Sequence, residues 1–137
     1  MITQQQSSGT TAGTGTTMRA VVQDRYGEAD VLRLDRVARP EIGSGQVLVR
    51  VQAAGVDRGV WHLMAGKPYA VRPVMGLKAP KNRIRGREFA GVVEAVGADV
   101  TTLRPGDEVY GMGEGTFAEY AAAKATKLAP RPSGLSA

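Results

Sequence analysis

A chain of 137 residues allows one domain, long enough to bury a core without disulfides or metals. It has no cysteine and one histidine, which excludes disulfide bridges and thiolate metal sites and leaves too few ligands for an ordinary zinc centre. With a net charge of +5, a hydrophobic fraction of 42%, no apolar run near the ~20 residues of a membrane span and no secretory leader, the expectation is a cytoplasmic protein without a membrane partner.

Residues 1–17, MITQQQSSGTTAGTGTT, are Ser, Thr, Gly and Gln with almost nothing to bury. They read as a disordered tail or an expression remnant ahead of Met18, a candidate native start. From Met18 the texture changes. MRAVVQ and VLRLDRVA are short β-type runs separated by the turn-rich DRYGEAD. The turn RPEIGSGQ feeds VLVRVQAAGV, where Val47, Val49 and Val51 alternate with Leu48, Arg50 and Gln52, the period-2 pattern of a half-buried strand. Asp57 is placed as an N-cap, RGVWHLMAG as a short helix and Gly66 as its stop.

Pro68, Pro73, Gly76 and Pro80 interrupt residues 67–85, which predicts a long irregular loop, functional or mobile. EFAGVVEAVG is the strongest strand pattern in the chain, and Arg104-Pro105-Gly106-Asp107 is a turn into the next strand. GTFAEYAAAK reads as extended despite its alanines, because Gly113, Gly115 and the preceding β run outweigh helix propensity. Residues 129–137 read as the start of a linker. The sum is a small all-β barrel or open sandwich with one short helix.

Chemistry is sparse. The sole histidine is His62, and no Gly-x-Ser-x-Gly elbow exists. Glu88 and Glu94 flank one strand, where surface charge explains them better than an acid–base pair. Gly111-Met112-Gly113-Glu114-Gly115 lacks the Gly-x-Gly-x-x-Gly spacing and reads as a turn that cannot cradle a pyrophosphate by itself. Arg72, Lys78, Lys81, Arg83, Arg85 and Arg87 follow one another with no acid among them. A solvated loop is preferred there over a phosphate or nucleic-acid patch, and only Tyr69 is near enough to stack a base, so nucleic acid is not an expected partner. On residue type alone, His62 beside Trp61 and Leu63 is packed or exposed without chemistry more often than not, and Trp61 is core.

Taken together, the blocks from Met18 to Gly66, GREFAGVVEAVGADVTTLRPGDEVYG and GTFAEYA resemble the medium-chain dehydrogenase/reductase superfamily. Within it the chain is similar to the N-terminal GroES-like domain of the zinc-independent, quinone-oxidoreductase-like branch, over about residues 18–135. The resemblance implies a mainly β domain at residues 18–128, a GroES-like β-barrel with one or two short helices. In zinc-dependent alcohol dehydrogenases the strongest strand opens with Gly-His-Glu, whose His binds catalytic zinc. Here the triplet is Gly86-Arg87-Glu88, and a guanidinium stays protonated and has no lone pair to give. The family's Cys ligand falls at Asp57, its relay hydroxyl at Gly59 and its relay His at His62; no metal is expected.

The implied activity is reduction of quinones, enones or related carbonyl compounds with NADPH, the cofactor carrying the hydride while the protein positions the reactants. The implied site has His62 and Tyr69 as catalytic proton donors or relays, Asp57 and Trp61 as cofactor contacts, and Asp57, His62 and Tyr69 as substrate contacts. Relatives usually have Asn at the Asp57 position, so Asp57 is a departure, and Tyr69 matches its aromatic counterpart only loosely. In such relatives a Rossmann domain follows and holds most of the NADP, and the full-length enzyme can be a homodimer. The chain is therefore expected to be inactive alone. The alternative is a free-standing GroES-like binding or assembly module.

Overall fold

The computed structural model describes residues 16–137, and the expected tail falls, for residues 1–15, outside them. In chain order the elements are β1 (Thr17–Val22), β2 (Arg33–Ala38), β3 (Gln46–Ala54), helix α1 (Arg58–Ala65), the single-turn helix α2 (Arg72–Met75), β4 (Glu88–Val96), β5 (Glu108–Met112), β6 (Tyr120–Lys124) and β7 (Leu128–Pro130). All pairings are antiparallel. β1 and β2 form a ribbon, and the other strands form one sheet in the order β6-β3-β4-β5-β7.

The valine alternation explains why β3 is central. Val47 and Val49 are fully buried, and Val49 lies opposite Val93 of β4 on one side and Ala121 of β6 on the other. Phe89, Val93, Leu103, Val109 and Ala123 complete the apolar cluster that these two valines anchor. Small and β-branched side chains dominate it, which suits a pleated surface packed on one face.

The expected closed β-barrel does not form. The mainly β class with short helices stands, but neither sheet closes on itself among the described residues. The cause is strand direction. Following the antiparallel pairings across the sheet, the two edge strands β6 and β7 run the same way, and only residues 125–127 separate them. Side-by-side parallel strands need a crossover of a dozen or more residues, whereas three residues span at most about 10 Å. β7 therefore continues from where β6 stops and carries the chain from one edge of the sheet to the other. Register shifts in the β3–β4 ladder at Leu48/Val49 and Val51/Ala53 supply local twist for that curl.

Both ends of α1 are built as their residue types predict. Asp57 accepts a hydrogen bond from the Val60 backbone N–H at 2.7 Å, and Gly66, in the left-handed region at φ 63°, donates to the His62 carbonyl at 2.9 Å. The helix buries Val60, Met64 and Ala65. Residues 67–85 are not wholly irregular, since a 3-10 turn at Tyr69–Val71 runs into α2, where Pro73 sits in the first turn and needs no N–H partner. This segment is tied back at several points. The Tyr26 hydroxyl donates to the Gly76 carbonyl at 2.8 Å, the Arg72 guanidinium lies 4.6 Å from both the Tyr26 and Tyr69 ring centres, and Arg83 donates to Asp24 at 2.7 Å.

The chain then enters β4 through Gly86. Its φ of +100° disfavours any side chain, and a Cβ there would lie 2.3 Å from Thr116 Oγ1 and 2.8 Å from the Phe117 backbone nitrogen. Gly86→Ala is thus expected to lower stability by about 2–4 kcal/mol, read from the urea midpoint, because backbone strain and overpacking coincide. A second expectation concerns acid. Hydrogen bonds from Arg83 and then Arg33 hold the Asp24 carboxyl below the usual aspartate range. Its contribution is complete above the unfolded aspartate pKa and lost as pH falls through the folded one. The melting-temperature gap between wild type and Asp24→Asn should be widest near neutrality and close in acid.

Candidate functional site

The exit of β3 is bound to the first residue of β4 one step beyond the end of β3. The Gly55 backbone N–H donates to the Glu88 carbonyl at 2.9 Å, which holds the start of α1 against the Gly86-Arg87-Glu88 triplet. The resulting closeness is measurable at the two glycines. A Cβ on Gly55 would lie 3.1 Å from Glu88 Oε2, and one on Gly59 would lie 3.0 Å from Asp57 Oδ1 and 3.3 Å from Arg87 Nη1. Asp57, Arg87 and Glu88 are all exposed at this junction. Opposed charges thus surround a gap that a side chain at position 59 would fill.

This donor set does not suit a zinc ion. Arg87 can only donate hydrogen bonds and remains cationic, and Asp57 Oδ1 already caps α1. Among the described residues no group of three or more His, Asp or Glu side chains is placed to hold a metal.

Asp57, Trp61 and His62 come together on the first turns of α1. Trp61 Nε1 donates to Glu28 Oε2 at 3.0 Å, and its ring meets the His62 ring edge-on with centroids 5.0 Å apart. His62 Nδ1 lies 3.0 Å from the Lys67 carbonyl. A carbonyl only accepts, so Nδ1 carries the proton of the neutral ring and Nε2 is left as the acceptor. Tyr69 sits beyond the end of the helix, 66% exposed and stacked on Arg72. No hydrogen bond joins Asp57 to His62 or Tyr69 among the described residues.

A cavity of about 630 Å³ opens beside this junction, and Arg87 borders it. None of Asp57, Trp61, His62 and Tyr69 lines it. Its walls come from the 81–87 segment, the end of β5 and the β6–β7 passage, and they include Arg85. Arg85 corrects the reading of residues 72–87 as a solvated loop. It is only 5% exposed, its Nη1 reaches the Leu63 carbonyl at a long 3.5 Å, and its Nε has no partner among the described residues. Burial holds its guanidinium below the ordinary arginine pKa. No sequence signal separates it from Arg83 and Arg87, which are exposed. Only the course of the chain between Ile84, which bridges to Val22, and the constrained Gly86 turns this side chain inward.

Comparison with known proteins identifies the family of the chain. The alcohol dehydrogenase GroES-like domain family matches residues 43–133. The chain is 37% identical over 128 residues to the chloroplastic quinone-oxidoreductase QR1 of Triphysaria versicolor, covering 90% of this chain and 37% of that protein. It is 35% identical to the 2-methylene-furan-3-one reductase of Solanum lycopersicum, covering 87% of this chain and 32% of that protein. Among solved structures, the quinone oxidoreductase from Coxiella burnetii superimposes with a TM-score of 0.79 at 25% identity, over 88% of this chain and 39% of that one. A mycobacterial structure complexed with NADPH gives a TM-score of 0.72 at 27% identity, over 87% and 34%. The chain spans about a third of the length of the curated relatives it matches. With an arginine in the triplet at the mouth of β4 and a family match over most of its length, the chain belongs to the alcohol dehydrogenase GroES-like domain family, in the zinc-independent, quinone-oxidoreductase-like group of the medium-chain dehydrogenase/reductase superfamily.

Proposed function

We propose that these residues form the substrate-side domain, from β1 through β7, of an NADPH-dependent, zinc-independent oxidoreductase acting on quinones, enones or related carbonyl compounds, with the residues after Pro130 beginning the linker to a nucleotide-binding domain. The observation that carries the reading is Arg87 beside Asp57, a cation that cannot be a metal ligand, at the junction where relatives with zinc coordinate it. Support comes from relatives named as quinone oxidoreductases and as a furanone reductase, and from the NADPH-bound mycobacterial structure.

The residues present suit the nicotinamide end of the cofactor. Asp57 is an exposed acceptor for a carboxamide, and Trp61 is a flat wall held in place by Glu28. Among the described residues no glycine-rich turn opens a helix toward a pyrophosphate, so the rest of the cofactor needs further residues. Bound there, the cofactor supplies the hydride. The protein's own task is then to orient the acceptor and deliver a proton to its oxygen. His62 can do so through Nε2 as an imidazolium, since in the neutral ring the proton stays on Nδ1 toward the Lys67 carbonyl and Nε2 only accepts, and the exposed Tyr69 hydroxyl is the second donor. Asp57, His62 and Tyr69 would contact the substrate. The intact enzyme is expected to work as a cytoplasmic homodimer on small molecules; no helix of the described residues is long and apolar enough to cross a membrane.

The test is NADPH oxidation by the intact protein with a quinone and an enone as acceptors. Chelators should leave the rate unchanged, His62→Ala should lower kcat by about a hundredfold and Tyr69→Phe by less, while the 137-residue chain alone should show no turnover. Stoichiometric zinc, or a rate abolished by chelation, would overturn the reading.

A further inference from the structure

The cavity beside the junction carries an imbalance of charge that the reductase reading does not use. Five cations line it, Lys81, Arg85, Arg87, Lys124 and Lys127, against one carboxylate, Glu114. Among the described residues none of the five enters an ion pair. Four of the five are exposed and could be left to water. Arg85 is different, because its guanidinium is buried with one nitrogen unpartnered and another held only by a long contact to the Leu63 carbonyl. A desolvated cation without a counter-charge is costly, and a bound anion would offset that cost.

Leu63, Val74, Met75, Ile84 and Met112 give the cavity an apolar wall, beside which Gln46 and Asn82 add neutral polar groups. We infer that this cavity is a binding site for an amphipathic organic anion, whose carboxylate or phosphate lies among Arg85, Arg87 and the three lysines while its hydrocarbon part covers the apolar wall. A nucleic acid fits less well, since the cations line a concavity and no aromatic side chain among the described residues lines it for base stacking. The inference stands apart from the reductase reading, because it concerns equilibrium binding by this chain and requires no hydride transfer.

The experiment titrates the 137-residue chain with octanoate, octyl phosphate and 1-octanol, following the backbone amides of Gly86, Gly113 and Gly115 by NMR. Both acids should saturate at millimolar concentration or below, and the alcohol should bind at least about tenfold more weakly, as expected for loss of charge-assisted hydrogen bonds. Added salt should weaken the acids and not the alcohol. Arg85→Met should weaken octanoate about tenfold while leaving the unliganded protein at least as stable as wild type, because it removes an unpaired buried charge. Should that variant fail to fold, the surface pair Lys81→Gln and Arg87→Gln reads the same loss. Octanol binding as tightly as octanoate, or no saturation by either acid at millimolar concentration, would overturn the inference. So would displacement of octanoate by a short DNA duplex, which would mark an open basic patch. Competition by NADP identifies a cofactor phosphate as the natural anion and its absence a separate organic acid, and either result supports the site.

Discussion

The antiparallel ladder between β3 and β4 is the constraint on which the rest of the molecule depends. Its inward residues, Val47 and Val49 of β3 with Phe89 and Val93 of β4, form most of the apolar cluster. Its far end, extended by the bond from Gly55 to Glu88, decides what stands next to what at the surface. Had this register slipped by one residue, the valines would turn outward, and Asp57 would lose its place beside Arg87. Packing and site geometry are therefore two ends of one pairing.

The charges divide into two populations with different physics. One is balanced and solvated. Asp24 collects Arg33 and Arg83, and Glu119 accepts from both the backbone N–H and the side chain of Arg19, which joins the β1–β2 ribbon to the segment before β6. Such exposed pairs orient loops more than they stabilise them. The other has no ion pair among the described residues, and five of its members line the cavity. Arg85 connects the two descriptions, since its neighbours two residues away on either side point to solvent while it does not.

The open sheet shows how a strand count can mislead about closure. Several short strands in succession invite the expectation of a barrel. Here the two edges are joined by the chain itself, through the three-residue turn at Ala125–Lys127, and not by a ladder. Direction decided this, and direction depends on which strands choose each other as partners across the whole sheet. The same passage from β6 to β7 contributes Lys124 and Lys127 to the cavity wall.

Local chemistry is what the linear chain determined unaided. Asp57 as a cap, Gly66 as a stop, the buried valines of β3 and the extended state of the alanine run at β6 all follow from preferences of a few consecutive residues, and the structure contains each of them. The inability of Arg87 to bind a metal was legible too, because it is a property of the side chain wherever it lies. Tertiary structure alone decided the open edges of the sheet, the burial of Arg85 between exposed arginines, and the gathering of lysines from β6 and the loop before β4 around one cavity. Those outcomes join residues far apart in sequence, and Arg83, Arg85 and Arg87 are chemically identical until pairing and backbone geometry elsewhere assign each of them a direction.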